Sequence, residues 1–123
     1  MSDETITIER ANTVFYCDTW APTVAFYRTT LGLPVTFAND WFVEFSLGDA
    51  TSVSIADANR ATIAAVGGQG VTLTLRVTDV AGVHELLTAR GVELTPLTER
   101  FGGLACYCRD PEGHRIEFWS VIR

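Results

Sequence analysis

The sequence predicts an α+β fold built from two successive βαβββ units. Three observations support this prediction: a strand-like run leads into a capped helix twice, each helix ends before a glycine, and three strand-like segments follow each helix. The chain has 123 residues, of which 47% are hydrophobic. That length suffices for one domain with a single core and excludes two large domains.

The first unit, about residues 6–57, begins with a β-branched and aromatic run at residues 13–18. Thr19 can accept a backbone N–H as the helix N-cap, and Gly32 can supply a left-handed C-cap. The spacing between them predicts a helix over about 20–31, with an apolar stripe formed by Trp20, Val24, Tyr27 and Leu31. Turn residues then separate three predicted strands at 34–38, 41–47 and 51–56.

The second unit, about residues 71–121, repeats this order. Residues 71–77 alternate strictly between apolar and polar side chains, which is typical of a strand with one buried face. Asp79 is the predicted cap of a helix that ends before Gly91 and has an apolar stripe of Val80, Val83, Leu86 and Leu87. Strands are predicted at about 92–96, 104–109 and 114–121.

A linker of about residues 58–70 joins the two units and ends in Gly67-Gly68-Gln69-Gly70. Such a run could suggest a phosphate cradle, but it lacks the full Gly-x-Gly-x-x-Gly pattern, and no helix is predicted after it. The prediction is therefore a flexible linker.

The charge balance narrows the class of partner. Acidic residues number 15 against 9 Lys plus Arg, which gives a net charge of −6 and a pI near 4.7. A chain with so few basic groups is not expected to bind nucleic acid. No apolar stretch approaches the roughly 18 residues that read as a membrane span, so no membrane partner is expected. The amino terminus carries no cationic export signal, which predicts a soluble, cytoplasmic protein.

The cysteines are an odd number, Cys17, Cys106 and Cys108. An odd count without an export signal is a poor basis for a disulfide framework, and Cys-x-Cys lacks the paired spacing of a structural zinc site. We expect reduced thiols packed in the core, because free cysteine is among the most buried residue types.

One segment carries a recognisable motif, DPEGHRIEFW at residues 110–119, and the first unit contains FYR at 26–28 and LGL at 31–33. Together these motifs resemble the vicinal oxygen chelate superfamily, which includes glyoxalase I, extradiol dioxygenases and bleomycin-resistance proteins. The resemblance covers about residues 10–121. It implies two βαβββ modules forming an open, cup-shaped mixed sheet with helices outside and a ligand or metal inside. It also implies a homodimer.

Strand alternation predicts which side chains line that cup, because neighbours on a strand point to opposite faces. The apolar residues of 71–77 must pack under the helix, which turns Thr72, Thr74 and Arg76 toward the cup. The same rule applied to the other strands adds Asn12, Val14, Tyr16, Asp18, Ser52, Ser54, Ala56, Arg115, Glu117 and Trp119.

The resemblance also identifies the four positions where metal-dependent relatives hold their ion, which match Asn12, Ser54, Thr72 and Glu117. Only Glu117 is a conventional strong ligand, and two hydroxyls with an amide offer weak neutral oxygens. The sequence therefore predicts no metal site and no cofactor, although a divalent metal is the family alternative. His84 on the second helix and His114 beside the hairpin turn are expected to be exposed or partly packed, without a role.

Glu117 has two interpretations. It can form an ion pair with Arg76, which also faces the cup, or it can receive a cationic or hydrogen-bond-donating group of a ligand while Arg76 takes an acceptor. Aromatic residues can stack on a ligand or simply pack between the modules. The candidate ligand-binding residues are Asn12, Tyr16, Trp41, Ser54, Thr72, Arg76, Glu117 and Trp119.

These features favour a metal-independent protein that resembles the bleomycin-resistance type and sequesters an aromatic or cationic small molecule in the cup or at a dimer cleft. Antibiotic resistance would then be its role. The alternative is a glyoxalase-like lyase or isomerase, or a dioxygenase-type enzyme, with Glu117 as the catalytic acid or base or as a remnant metal ligand. A third hypothesis is a degenerate module that serves in assembly or regulation, which a polar cup disfavours.

Overall fold

The structure, a computed structural model, describes residues 4–100 and 102–122. The first module contains strand β1 (Ala11–Cys17), helix α1 (Trp20–Ala25) continued by a π-helical turn (Phe26–Thr30), and strands β2 (Val35–Ala38), β3 (Phe42–Gly48) and β4 (Thr51–Asp57). The second contains β5 (Thr72–Arg76), α2 (Val80–Ala89), β6 (Thr98–Arg100), β7 (Gly103–Arg109) and β8 (Arg115–Val121). A 3-10 turn, Ala58–Arg60, starts the connection between them. No helix in the described ranges is long and apolar enough to cross a membrane.

Each module forms a four-stranded sheet, with the orders β1-β4-β3-β2 and β5-β8-β7-β6. In both sheets the first strand pairs in parallel with the last, and the remaining pairs are antiparallel. The repeated connectivity confirms the predicted α+β class and the two βαβββ modules.

Three predicted details are wrong. The strand predicted at 92–96 lies instead at Thr98–Arg100, because Pro96 has no amide to donate, although Thr95 still donates to the Tyr107 carbonyl at 3.0 Å. The predicted helix over 20–31 changes to π geometry after Ala25. The Thr19 side chain does not cap α1, because its hydroxyl donates to the Glu112 carboxylate at 2.6 Å. Asp79 caps α2 as predicted, accepting the Gly82 amide at 3.2 Å.

The two modules share one hydrophobic core on the helix side of both sheets. Its buried members come from both modules and are Phe15, Cys17, Val24, Tyr27, Val43, Phe45, Val53, Ile55, Val80, Leu87, Cys106, Cys108, Ile116 and Phe118. Cross-module hydrogen bonds reinforce it, such as that from Arg90 Nη1 to the Thr30 carbonyl at 2.8 Å. The three cysteines are free and buried, as predicted, and burial raises the pKa of Cys17 and Cys108 to about 12.

The sequence predicts a flexible linker, whereas its glycine-rich end packs against the turn between β7 and β8. Gly68 is buried, and a Cβ on it would lie well inside van der Waals contact of the His114 amide nitrogen. A Cβ on Gly113 would lie 2.5 Å from the Gly67 carbonyl oxygen. Backbone therefore meets backbone at this contact, and both glycines are needed for it.

Gly68→Ala should lower the free energy of unfolding by about 1–3 kcal/mol more than Gly70→Ala does. The backbone φ angles are nearly the same, 76° and 79°, so both substitutions carry the left-handed penalty. Only Gly68 has backbone atoms in the way, since nothing lies within 4 Å of a Cβ at Gly70. Urea denaturation of the two variants measures the difference, and equal losses would contradict the packing described.

Candidate functional site

The polar face of the first sheet, called the module-1 face, has three rows set by strand register. The rows are Asn12, Ser52 and Ser46; Val14, Ser54 and Glu44; and Tyr16, Ala56 and Phe42. The opposite side chains of β1, such as Phe15 and Cys17, are buried in the core. Strand alternation therefore assigns the faces of β1 and β4 as predicted. Ser52, Ser54 and Ala56 are themselves buried, so the middle of this face is closed by its neighbours.

A hydrogen-bond network occupies the module-1 face. Ser54 Oγ donates to Asn12 Oδ1 at 2.8 Å, and Arg10 Nη2 donates to Ser52 Oγ at 2.9 Å. Arg10 also lies 3.3 Å from the Glu44 carboxylate. A hydrogen bond from Thr36 and the charge of Arg10 outweigh desolvation and lower the pKa of Glu44. The network therefore favours the ionised form of Glu44.

Sequence reasoning missed Glu44 and Phe42 because alternation was not extended to β3. The signal was present, since Val43 and Phe45 had to face the core. Trp41, a predicted ligand residue, lies just before β3 with its ring edge-on to Phe42 at 5.6 Å between centroids. By register, Phe42 and not Trp41 is the aromatic residue in a row of the module-1 face.

The polar face of the second sheet, called the module-2 face, has the matching rows. They are Thr72, Arg115 and Arg109; Thr74, Glu117 and Tyr107; and Arg76, Trp119 and Ala105. Four predicted site residues, Thr72, Arg76, Glu117 and Trp119, are therefore neighbours on one surface.

Arginine and aromatic side chains stack on the module-2 face. Arg76 Cζ lies 5.3 Å from the centroid of the Trp119 ring. The Tyr107 ring has Arg115 Cζ at 3.9 Å and Arg100 Cζ at 5.8 Å. Such pairs are favourable and hold the guanidinium groups flat against the rings.

Glu117 is not an ion-pair partner of Arg76. The ion pairs between described residues include Arg10–Glu44 and Arg60–Asp40, and none of them joins Glu117 to Arg76. Glu117 instead lies near Tyr107, and hydrogen bonding to its carboxylate raises the pKa of the Tyr107 phenol. Tyr107 was missed in the sequence for the same reason as Glu44, since alternation was not applied to β7.

The structure keeps the four family ligand positions in two pairs, Asn12 with Ser54 and Thr72 with Glu117. Each pair lies on the polar face of its own sheet. Both sheets turn their opposite faces toward the shared core, so the two polar faces point away from it. No hydrogen bond among the described residues joins the two polar faces. A single chain therefore divides the four positions between two separate faces, each of which is a candidate half-site.

The residues at these positions do not fit a divalent metal. Asn12 Oδ1 already accepts a hydrogen bond from the Ser54 hydroxyl, which leaves the Glu117 carboxylate as the one charged ligand among the four positions. The remaining oxygens are neutral and weak donors. Within residues 4–100 and 102–122, no group of three or more His, Cys, Asp or Glu side chains is arranged to hold an ion.

His114 was expected to be exposed or partly packed, and this is wrong, because it is 4% exposed and belongs to a buried cluster. Asp110 Oδ2 accepts a hydrogen bond from Tyr27 at 2.7 Å and another from His114 Nδ1 at 2.7 Å. The Phe15 ring stacks on the imidazole with centroids 4.0 Å apart. Tyr27 and Phe15 come from the first module, so the cluster connects the two modules at the core. His84 is half-buried, its Nε2 atom 3.2 Å from the Thr95 carbonyl.

Comparison with known proteins agrees with this architecture. Residues 10–118 match the family described as the Glyoxalase/Bleomycin resistance protein/Dioxygenase superfamily. No curated protein matches the chain.

Several solved structures share the fold. A glyoxalase/bleomycin resistance protein/dioxygenase from Nocardioides is 20% identical with a TM-score of 0.78, covering 99% of this chain and 87% of its own. An antibiotic binding protein from Streptomyces sp. CB03234 is 18% identical with a TM-score of 0.78, covering 99% and 100%. A lactoylglutathione lyase from Agrobacterium tumefaciens is 20% identical with a TM-score of 0.70, covering 97% and 96%. At these identities the likeness concerns the fold alone.

Proposed function

Since the chain belongs to the glyoxalase/bleomycin resistance protein/dioxygenase superfamily, we propose that it sequesters an aromatic organic molecule in the cytoplasm without a metal. Membership and the likeness to an antibiotic binding protein support a small-molecule-binding role in general. The single observation that carries the finer proposal is the donor set Asn12, Ser54, Thr72 and Glu117. It is too weak to hold a divalent ion, and it lies among aromatic side chains suited to stacking.

We infer that the binding cleft forms between two copies of the chain. Each copy offers a module-1 face and a module-2 face that point away from its own core, so neither half-site is completed within the chain. A symmetric dimer can place the module-1 face of one copy against the module-2 face of the other, and symmetry then produces two equal clefts.

The ligand chemistry follows from what lines both faces. Tyr16 and Phe42 on one face and Tyr107 and Trp119 on the other offer flat rings at half-buried positions. A planar ligand between them removes apolar surface from water on both sides. The carboxylate of Glu117 can receive a donor or cationic group of such a ligand, which is why cationic aromatic compounds belong in the test.

A thermal-shift screen tests this proposal. The panel holds aromatic antibiotics, dicarbonyl compounds, thiol adducts and divalent metals, each added to protein treated with a chelator. Ligands that bind the folded state raise its melting temperature. We expect aromatic compounds to stabilise the protein after chelation. Stoichiometric Ni, Zn, Mn or Fe in the purified protein, with an activity lost on chelation, would contradict the proposal.

Glu117→Gln separates binding from catalysis. If the protein only binds, the variant should change the affinity for a stabilising compound without any turnover to lose. A general acid or base contributes about 100-fold or more to proton transfer. An enzyme would therefore lose turnover in this variant while keeping most of its affinity. Parallel titration calorimetry and product analysis on both proteins distinguish the two outcomes.

A further inference from the structure

The module-2 face gathers positive charge in an acidic protein. Four of the nine basic residues, Arg76, Arg100, Arg109 and Arg115, lie on it by strand register or ring stacking. In the described part of the chain, none of the four has a carboxylate within ion-pair distance, although acidic residues outnumber basic ones by 15 to 9. Against these four charges the rows of this face hold one acid, Glu117.

Two of these arginines stand directly opposite each other, since Arg109 and Arg115 are register partners on β7 and β8. Like charges in that relation destabilise a sheet. The contacts they make do not neutralise them: Arg109 Nη1 donates to the Gly113 carbonyl at 3.0 Å, and Arg115 stacks on Tyr107. An anion between the two guanidinium groups would turn this repulsion into attraction.

The glycine-rich end of the linker lies beside the same pair. A cavity of about 400 Å³ is lined by residues 68–72 together with Arg109 and Arg115. In the described part of the chain, the amides of Gly70 and Val71 donate to no carbonyl. Thr72, the next residue, is in the same row as both arginines and offers a hydroxyl. Backbone amides, a hydroxyl and two guanidinium groups are the donors that oxyanion sites use.

We propose that this cavity is an oxyanion site, which holds a phosphate, phosphonate or carboxylate group of the ligand. Guanidinium groups bind such oxygens through paired, charge-assisted hydrogen bonds. Tyr107, beside Arg115, is placed to contact the organic part of the molecule. This inference rests on the proposed small-molecule role and narrows it, because the part of the ligand held in this cavity is an acidic group.

The proposal gives the Gly67–Gly70 segment a function that its motif alone does not support. In known phosphate loops the helix after the glycines supplies part of the charge, and no helix follows here. Here the two arginines of the β7–β8 hairpin supply the charge. Packing of Gly68 against His114 fixes the loop beside them.

A matched set of benzene derivatives tests the charge preference on the unmodified protein. Phenylphosphonate, benzoate, benzamide and benzylamine are titrated calorimetrically into chelator-treated protein at low ionic strength. We expect phenylphosphonate and benzoate to bind about 10-fold or more tightly than benzamide and benzylamine, and their affinity to fall as salt is added. Equal affinities across the set, or a preference for benzylamine, would overturn the proposal. Tight binding of an oligodeoxythymidine, with no binding of phenylphosphonate or benzoate, would also overturn the proposal.

The Arg115→Gln variant then locates the site. This variant should lower the affinity for phenylphosphonate by about 10–100-fold and leave the affinity for benzamide unchanged. Arg60→Gln is the matched control, because Arg60 is exposed, lies outside both faces and pairs with Asp40. An Arg115→Gln variant that is folded by urea denaturation and keeps full affinity for phenylphosphonate would overturn the proposal. If Arg115→Gln does not fold, the ligand series above decides alone.

Different experimental results would overturn this inference and the proposed function. Binding of neutral or cationic aromatic compounds from the thermal-shift panel, with no binding of phenylphosphonate or benzoate, would leave the proposed function standing and remove the oxyanion site. Binding of none of them would count against both.

Discussion

Replacing Asp110 by alanine should lower the free energy of unfolding by about 3–5 kcal/mol. The carboxylate is buried and accepts five hydrogen bonds, from the Tyr27 hydroxyl, the His114 ring and the amides of Glu112, Gly113 and His114. Alanine leaves these donors without an acceptor in the core between the modules. Urea denaturation monitored by tryptophan fluorescence measures the loss.

The matched control is Asp49→Ala, at the equivalent turn of the first module, where the side chain is exposed. It should cost less than about 1 kcal/mol, as surface substitutions do. Similar small losses in both variants would contradict the structural role assigned to Asp110.

The pH dependence of stability follows from the same cluster. Burial raises the pKa of Asp110, but hydrogen bonds from His114 and Tyr27 outweigh it, so the pKa lies below its ordinary value. A carboxyl with a lowered folded-state pKa contributes stability that is present above the unfolded pKa, near 3.9, and is lost as the pH falls through the folded value. The wild type should therefore lose stability on acidification below about pH 4, and Asp110→Asn should lack that part of the loss.

Replacing Trp119 by alanine should lower the affinity for an aromatic ligand by about 30-fold or more. The ligand measured is the aromatic compound of the thermal-shift panel that stabilises the protein most. The ring is half-buried on the module-2 face and carries the Arg76 guanidinium, so its loss removes both the stacking surface and the support of that arginine. Titration calorimetry measures the change. The control is Leu86→Ala. Leu86 is exposed on α2, on the helix side of the same module, so this variant should leave the affinity unchanged.

Alternation and repetition account for what could be predicted. The side-chain period of a strand placed Glu117 and Trp119 on the polar face of β8, because Ile116 and Phe118 had to be buried. The repeat predicted that the second module has the same order of strands and helix as the first. Both arguments use only local sequence, and both gave the observed result.

Two of the wrong predictions involve contacts that are distant in the chain. The Thr19 hydroxyl bonds to Glu112, which lies 93 positions away, so no local rule could show that it would not cap α1. His114 is buried by Phe15 and Asp110, and the first of these belongs to the other module. Alternation also cannot tell which face of one sheet meets which part of the other. The proposed division of the binding site between two faces therefore cannot be predicted from alternation alone.

Subunit complementation tests the central claim most directly, that a metal-free cleft is shared between two copies. Tyr16→Ala removes a ring from the module-1 face, and Trp119→Ala removes one from the module-2 face. In a mixed dimer the two substitutions fall in the same cleft and leave the other intact. After subunit exchange under chelation, calorimetry should find that about a quarter of the clefts regain wild-type affinity for the panel's best compound. A mixture that regains none would contradict a site built across the dimer.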